Sequence, residues 1–153
     1  MIEIALLKNE IQIQLNLLDS TVQEIVVLRG DLADRAPTTR ERAAAGAFLA
    51  DFYSGIENIL KRISHHYGVE PPSGDNWHLD LFIRFCNPGF SGLPVIIDDD
   101  LREPLAAYRR FRHVLHHGYV IQLQWNRMAE GINGIDLAYK KFKANLRAAQ
   151  LSE

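Results

Sequence analysis

The sequence predicts an all-α protein, an up-down four-helix bundle with a short extra helix, on three observations. Apolar residues recur at intervals of three and four through long segments, no run alternates apolar and polar for long enough to argue a sheet, and the segments break at proline- and glycine-bearing stretches. The chain has 153 residues, 47% of them hydrophobic and 24% charged, enough to bury one core, so residues 1–153 are expected to form a single domain.

The first helix is expected from Ile4 to about Leu32, with Leu7, Ile11, Leu15, Leu18, Val22, Ile25 and Leu28 along one stripe and Gly30 near its end. In ADRAPTTRER, Pro37 stops one element and Thr38 or Thr39 can cap the next, with Glu41 in its first turn. The second helix runs from about Thr39 to Tyr67 on the face Phe48, Phe52, Ile56, Ile59, Leu60 and Ile63. Gly46 and Gly55 would let a neighbouring backbone approach, and Gly68 suits a left-handed cap. Residues 68–97 form a long irregular connection with most of the prolines, around a short helix from Trp77 to Phe85.

Asp98, Asp99 and Asp100 suit a helix N-terminus, where carboxylates meet unpaired N–H groups and the positive end of the dipole. The third long helix is expected from about Asp99 to about Met128, with Pro104 tolerated near its start. A last helix, about Asn133 to Gln150, is marked by Ile135, Ala138, Phe142 and Leu146.

A net charge of −2 gives the whole molecule no field that would draw it to nucleic acid or an anionic membrane, so any basic surface has to be local. The lone Cys86 cannot form an intramolecular disulfide, and MIEIALLKNE lacks the features of a secretory signal, so a cytoplasmic location is expected. No stretch approaches the roughly 20 apolar residues that span a bilayer.

The local basic surface is RRFRHVLHHGY, residues 109–119. With Arg112 at zero on a helical wheel, Arg109 falls at about 60°, His116 at about 40°, His113 at about 100° and His117 at about 140°. These side chains share one half of the helix, while Phe111, Val114, Leu115, Gly118 and Trp125 occupy the arc expected to face the core; Arg110, at about 160°, lies toward it. A guanidinium binds phosphate oxygens in pairs, and histidine both takes and gives a proton at neutral pH. Cleaving RNA needs a base for the 2′-hydroxyl, an acid for the leaving oxygen and positive charge on the phosphorane, and no metal.

The stretch R-H-V-L-H-H-G-Y at 112–119 resembles the R-x-x-x-x-H-x-Y motif of HepT-type toxins of the HEPN superfamily, with His113 at the polar position after the arginine. FYSGIENILKRI at 52–63 is similar to their second-helix segment and WNRMAEGINGIDLAYKKFKANL to their C-terminal helix, so the likeness spans the chain from about residue 40 onward. The resemblance implies a homodimeric HEPN domain whose two motif helices meet, sharing both copies of Arg112 and His117 in one cleft. It also implies a metal-independent endoribonuclease with no cofactor, the toxin of a HEPN/MNT toxin–antitoxin pair. Its partner is then an MntA-like nucleotidyltransferase antitoxin that attaches AMP to Tyr119. A nucleotide there places bulk and negative charge where the substrate phosphate must sit.

Around this pair, Arg109 is expected to contact the RNA backbone, and His113 and His116 to bind substrate, tune His117 or relay a proton. His113 and His117 have the spacing of zinc-binding helices, but the glutamate and a third ligand are missing, so no metal site is expected. His65 and His66 fit a helix C-terminus, and Asp75, Trp77 and His78 either pack the connection or line the cleft. Two other readings stand beside this one: an inactive HEPN-like dimer that binds nucleotide, RNA or a partner, and a metal-binding bundle, for which the second helix offers only Glu57 among apolar neighbours.

Overall fold

In the computed structural model, which describes residues 3–118 and 124–153, the chain is all-helical as the periodicity predicts. The helices are α1 (Ile4–Asp31), α2 (Thr39–His66), α3 (Trp77–Arg84), α4 (Asp99–His117), α5 (Trp125–Asn133) and α6 (Ile135–Ala148). The described residues contain no β-strand beyond a single bridge between Cys86 and Ile97. No helix among them is long and apolar enough to cross a membrane.

Local chemistry sets the helix ends. Thr38 accepts a hydrogen bond from the Glu41 amide at 3.1 Å, and the Glu41 carboxylate accepts one from the Thr38 amide at 2.9 Å. This capping box satisfies two of the donors a helix start leaves open. Asp98 caps α4 by accepting from the Leu101 amide at 3.0 Å. Gly68 has φ +70°, the left-handed conformation that an L side chain resists, and it closes α2 as expected.

α1 and α2 are each 28 residues, about 42 Å at 1.5 Å per residue. They pack antiparallel, since Glu10 meets Arg62 at 3.6 Å while Leu18 covers Gly55. A Cβ on Gly55 would lie 2.6 Å from Leu18 Cδ2, so the glycine permits this approach. α2 is the central element and packs against α1, α3, α4 and α5. Leu7, Ile11, Leu15, Leu18 and Ile25 of α1 enter the same core as Phe52, Tyr53, Ile56, Ile59, Leu60 and Ile63 of α2. Phe52 sits at the centre, with the Tyr108 ring edge-on at 5.0 Å and the Tyr139 ring at 5.9 Å.

One expected element divides. The third long helix stops at His117 rather than continuing to about Met128, because Gly118 takes an extended backbone (φ −126°, ψ 174°) that ends the hydrogen-bond ladder. Trp125 and Met128 therefore belong to a separate helix, α5, which Gly134 separates from α6. Tyr108 Oη donates to the Gly131 carbonyl at 2.6 Å and fastens α5 to α4. Arg29 reaches Asp136 at 2.8 Å and joins α1 to α6, and Asn145 Nδ2 donates to the Ile96 carbonyl at 2.8 Å to seat α6 on the connection before α4.

Candidate functional site

The face of α4 that carries Arg112 turns toward α2 and α3. On α2, Ser54 and Glu57 are three residues apart and so lie on one side of the helix. Arg112 Nε donates to Ser54 Oγ at 2.9 Å and lies 3.4 Å from Glu57 Oε1. The other carboxylate oxygen, Glu57 Oε2, lies 2.6 Å from His78 Nδ1 of α3. Arg112 Nη1 stands 3.4 Å from His78 Nε2 and 3.5 Å from Nδ1, in contact with the ring at the outer edge of hydrogen-bond range.

Electrostatics explains why these groups gather. The Glu57 side chain is only 2% exposed, and a carboxylate so removed from water needs partners on both oxygens. His78 and Arg112 supply them while keeping 29% and 22% of their own side chains in solvent, which leaves the charged edge of the cluster reachable from outside. The His78 ring is held from a second side by Trp77, 3.5 Å between centroids, and Lys61 Nζ lies 4.2 Å over the Trp77 ring. Since an ionised carboxylate only accepts, its contact with Nδ1 assigns the proton of a neutral His78 ring to that nitrogen and the lone pair to Nε2.

Arg112 is thus not on an open basic surface, as the helical wheel alone implies, but pinned against α2 and α3. Arg109, one turn earlier, is half-buried: its guanidinium lies 5.5 Å from the Phe82 ring and its Nε is buried without a hydrogen-bond partner. The Tyr53 hydroxyl is likewise buried and unpartnered. Burial and then the Glu57 charge push Tyr53 ionisation far up, with Arg109 opposing, so it stays a phenol. His113, His116 and His117 are exposed. The His113 and His117 rings meet at 4.6 Å, and among the described residues no hydrogen bond, ion pair or ring contact joins His117 to Arg112. Their wheel positions, about 140° apart, account for this within one chain. Tyr119 lies outside the described residues.

The opposite side of α4 borders a groove of about 1030 Å³ between α4, α5 and α6, lined by Arg110, Phe111, Val114, Met128 and Leu137. Val114, placed on the core-facing arc by periodicity, is 41% exposed here, since α4 ends one turn further on. Among the described residues no three His, Cys, Asp or Glu side chains are grouped to hold a metal ion.

Sequence reasoning singled out Arg112 but not the side chains that receive it. Glu57 stands out in the sequence as the one acid in the apolar face IENILKRI, where a buried carboxylate calls for a cation or donor beside it. For His78 the sequence leaves two uses open, packing of the connection or lining of the cleft, and Ser54 has no distinguishing pattern.

The all-helical architecture is consistent with a HEPN-type helical bundle. Residues 44–151 match the family model described as HepT-like protein, and the chain belongs to that family. The matched span holds all four residues of the cluster, Ser54, Glu57, His78 and Arg112. No curated protein and no solved structure matches the chain.

Proposed function

We propose that the protein is the toxin of a type VII HEPN/MNT toxin–antitoxin system, a metal-independent endoribonuclease that cuts cellular RNA (tRNA or mRNA) in the cytoplasm. Membership of the HepT-like family carries this reading, and the chemistry of the Arg112 cluster supports it. Arg112 binds and stabilises the scissile phosphate, for which a guanidinium already fixed by Ser54 and Glu57 is well prepared. His117 moves a proton as general acid or base.

The active unit in this reading is a homodimer. Because Arg112 and His117 diverge on one helix, pairing two α4 helices is the way to bring the guanidinium of one protomer and the His117 of its partner to one phosphate. Arg109, His113 and His116 support substrate binding at the rim. An MntA-like nucleotidyltransferase antitoxin silences the enzyme by placing AMP on Tyr119, which crowds the phosphate position with bulk and charge.

The test is cleavage of RNA by the purified full-length protein in EDTA. Wild type is expected to cut, and His117→Ala to abolish cutting while eluting at the same size. An equally active His117→Ala variant removes His117 from catalysis, and a wild type that binds RNA but never cuts it turns the reading into a binding module.

A further inference from the structure

The imidazole nearest to Arg112 is not part of the R-x-x-x-x-H-x-Y pattern. Among the described residues, His117 makes its one ring contact with His113, on the exposed side of α4. His78 instead sits against the Arg112 guanidinium, with Nε2 3.4 Å from Nη1. A phosphate oxygen gripped by Arg112 at its outer nitrogens would therefore lie close to the His78 ring.

We propose that His78 is a catalytic base of this site, accepting the proton of the attacking 2′-hydroxyl at Nε2, with the buried Glu57 carboxylate as its orienting partner. The inference rests on the ribonuclease reading above. Three features of the geometry carry it. The 2.6 Å contact between Glu57 Oε2 and His78 Nδ1 fixes the tautomer with its lone pair on Nε2. The same carboxylate stabilises the imidazolium that forms when the proton arrives, the role an acid plays behind histidine in other hydrolytic sites. The Trp77 face at 3.5 Å holds the ring in plane, and 29% of the side chain stays open to a substrate.

The step balances as follows. The 2′-oxygen forms its bond to phosphorus as its proton passes to His78 Nε2. The bond from phosphorus to O5′ breaks, and O5′ takes a proton from the imidazolium of the partner's His117. The products are a 2′,3′-cyclic phosphate and a 5′-hydroxyl, and the two histidines recover their starting states by exchanging a proton each with water. Arg112 stays charged throughout. The charged groups facing the His78 ring are Glu57 and Lys61 of α2, the latter across Trp77, and Arg112 of α4.

The experiment compares wild type, His78→Gln and His78→Ala, each full-length and checked for helicity, on RNA in EDTA. Binding is measured separately on the same RNA with its 2′-hydroxyls methylated, which cannot be cut. A base contributes on the order of 100-fold or more, so both variants are expected to lose about that much cleavage while binding methylated RNA as wild type does. Added imidazole is expected to restore part of the His78→Ala rate. Cleavage within a few-fold of wild type in both His78 variants overturns the proposal. So does a loss that imidazole leaves untouched and that is matched by lost RNA binding, which makes His78 a prop for Arg112. A wild type that cuts no RNA overturns the ribonuclease reading itself, and this inference with it.

Discussion

Glu57 Oε2 lies 2.6 Å from His78 Nδ1, so a carboxylate from the centre of the bundle reaches the solvent edge through a histidine of a short helix twenty-one positions away. Its other oxygen faces Arg112 at 3.4 Å. Glu57→Gln keeps the shape and removes the charge. Arg112 then loses its counter-charge and His78 its charged acceptor, but both remain partly in water, which places the cost below that of a fully buried broken pair, at about 1–3 kcal/mol. Urea unfolding of the two proteins measures it, and an unchanged midpoint would show that the carboxylate contributes nothing to the fold.

Tyr108→Phe isolates one buried hydrogen bond. The hydroxyl donates to the Gly131 carbonyl at 2.6 Å, and without it that carbonyl loses its partner from α4. A loss of about 1–2 kcal/mol is expected, with the packing of the ring on Phe52 preserved. Thermal unfolding followed by circular dichroism reads the difference.

Gly131→Ala tests the close approach of α5 to α4. An added Cβ would lie 2.8 Å from Phe111 Cε2 and 3.3 Å from Tyr108 Cε1. Alanine gains about 1 kcal/mol of helix propensity over glycine, while forcing an aromatic ring aside costs about 1–3 kcal/mol, so the clash is expected to win and lower stability. A more stable variant would mean that Phe111 yields without cost.

The capping box of α2 has a pH signature. Hydrogen bonds from Arg35 first, and then from the Thr38 backbone, hold the Glu41 carboxyl down at about 2. A carboxyl lowered on folding contributes stability above its unfolded value, and that contribution is lost as pH falls through the folded value. The window therefore runs from about 4.5 down to about 2, and Arg35→Ala should narrow it by letting Glu41 rise. Proton NMR titration of Glu41 in both proteins is the check; a Glu41 that titrates in the ordinary range in wild type would show that the Arg35 contact does not hold its carboxylate in solution.

The period of three and four placed α1, α2 and α6 within a few residues, because their apolar stripes end at real caps: Thr38, Gly68 and the chain turn after Ala148. The same period misled at Gly118, where Val114, Leu115, Trp125 and Met128 continue a stripe that the backbone does not, and one long helix became α4 and α5. At the site, Arg112 was legible through its spacing to His117 and Tyr119. Its partners were not, since Ser54, Glu57 and His78 stand 58, 55 and 34 positions away and meet it only through the packing of α2 and α3 on α4. Spacing along one helix reports which residues share a face, while the identity of what that face meets is a property of the whole bundle.

The most direct measurement of the central claim is the chemistry of the ends left on RNA cut by the purified protein in EDTA. Transfer to the 2′-oxygen under Arg112, with histidines moving the protons, is expected to leave 2′,3′-cyclic phosphates opposite 5′-hydroxyls, and Arg112→Ala is expected to leave none. Uncut RNA, or fragments with 3′-hydroxyls and 5′-phosphates, would contradict it.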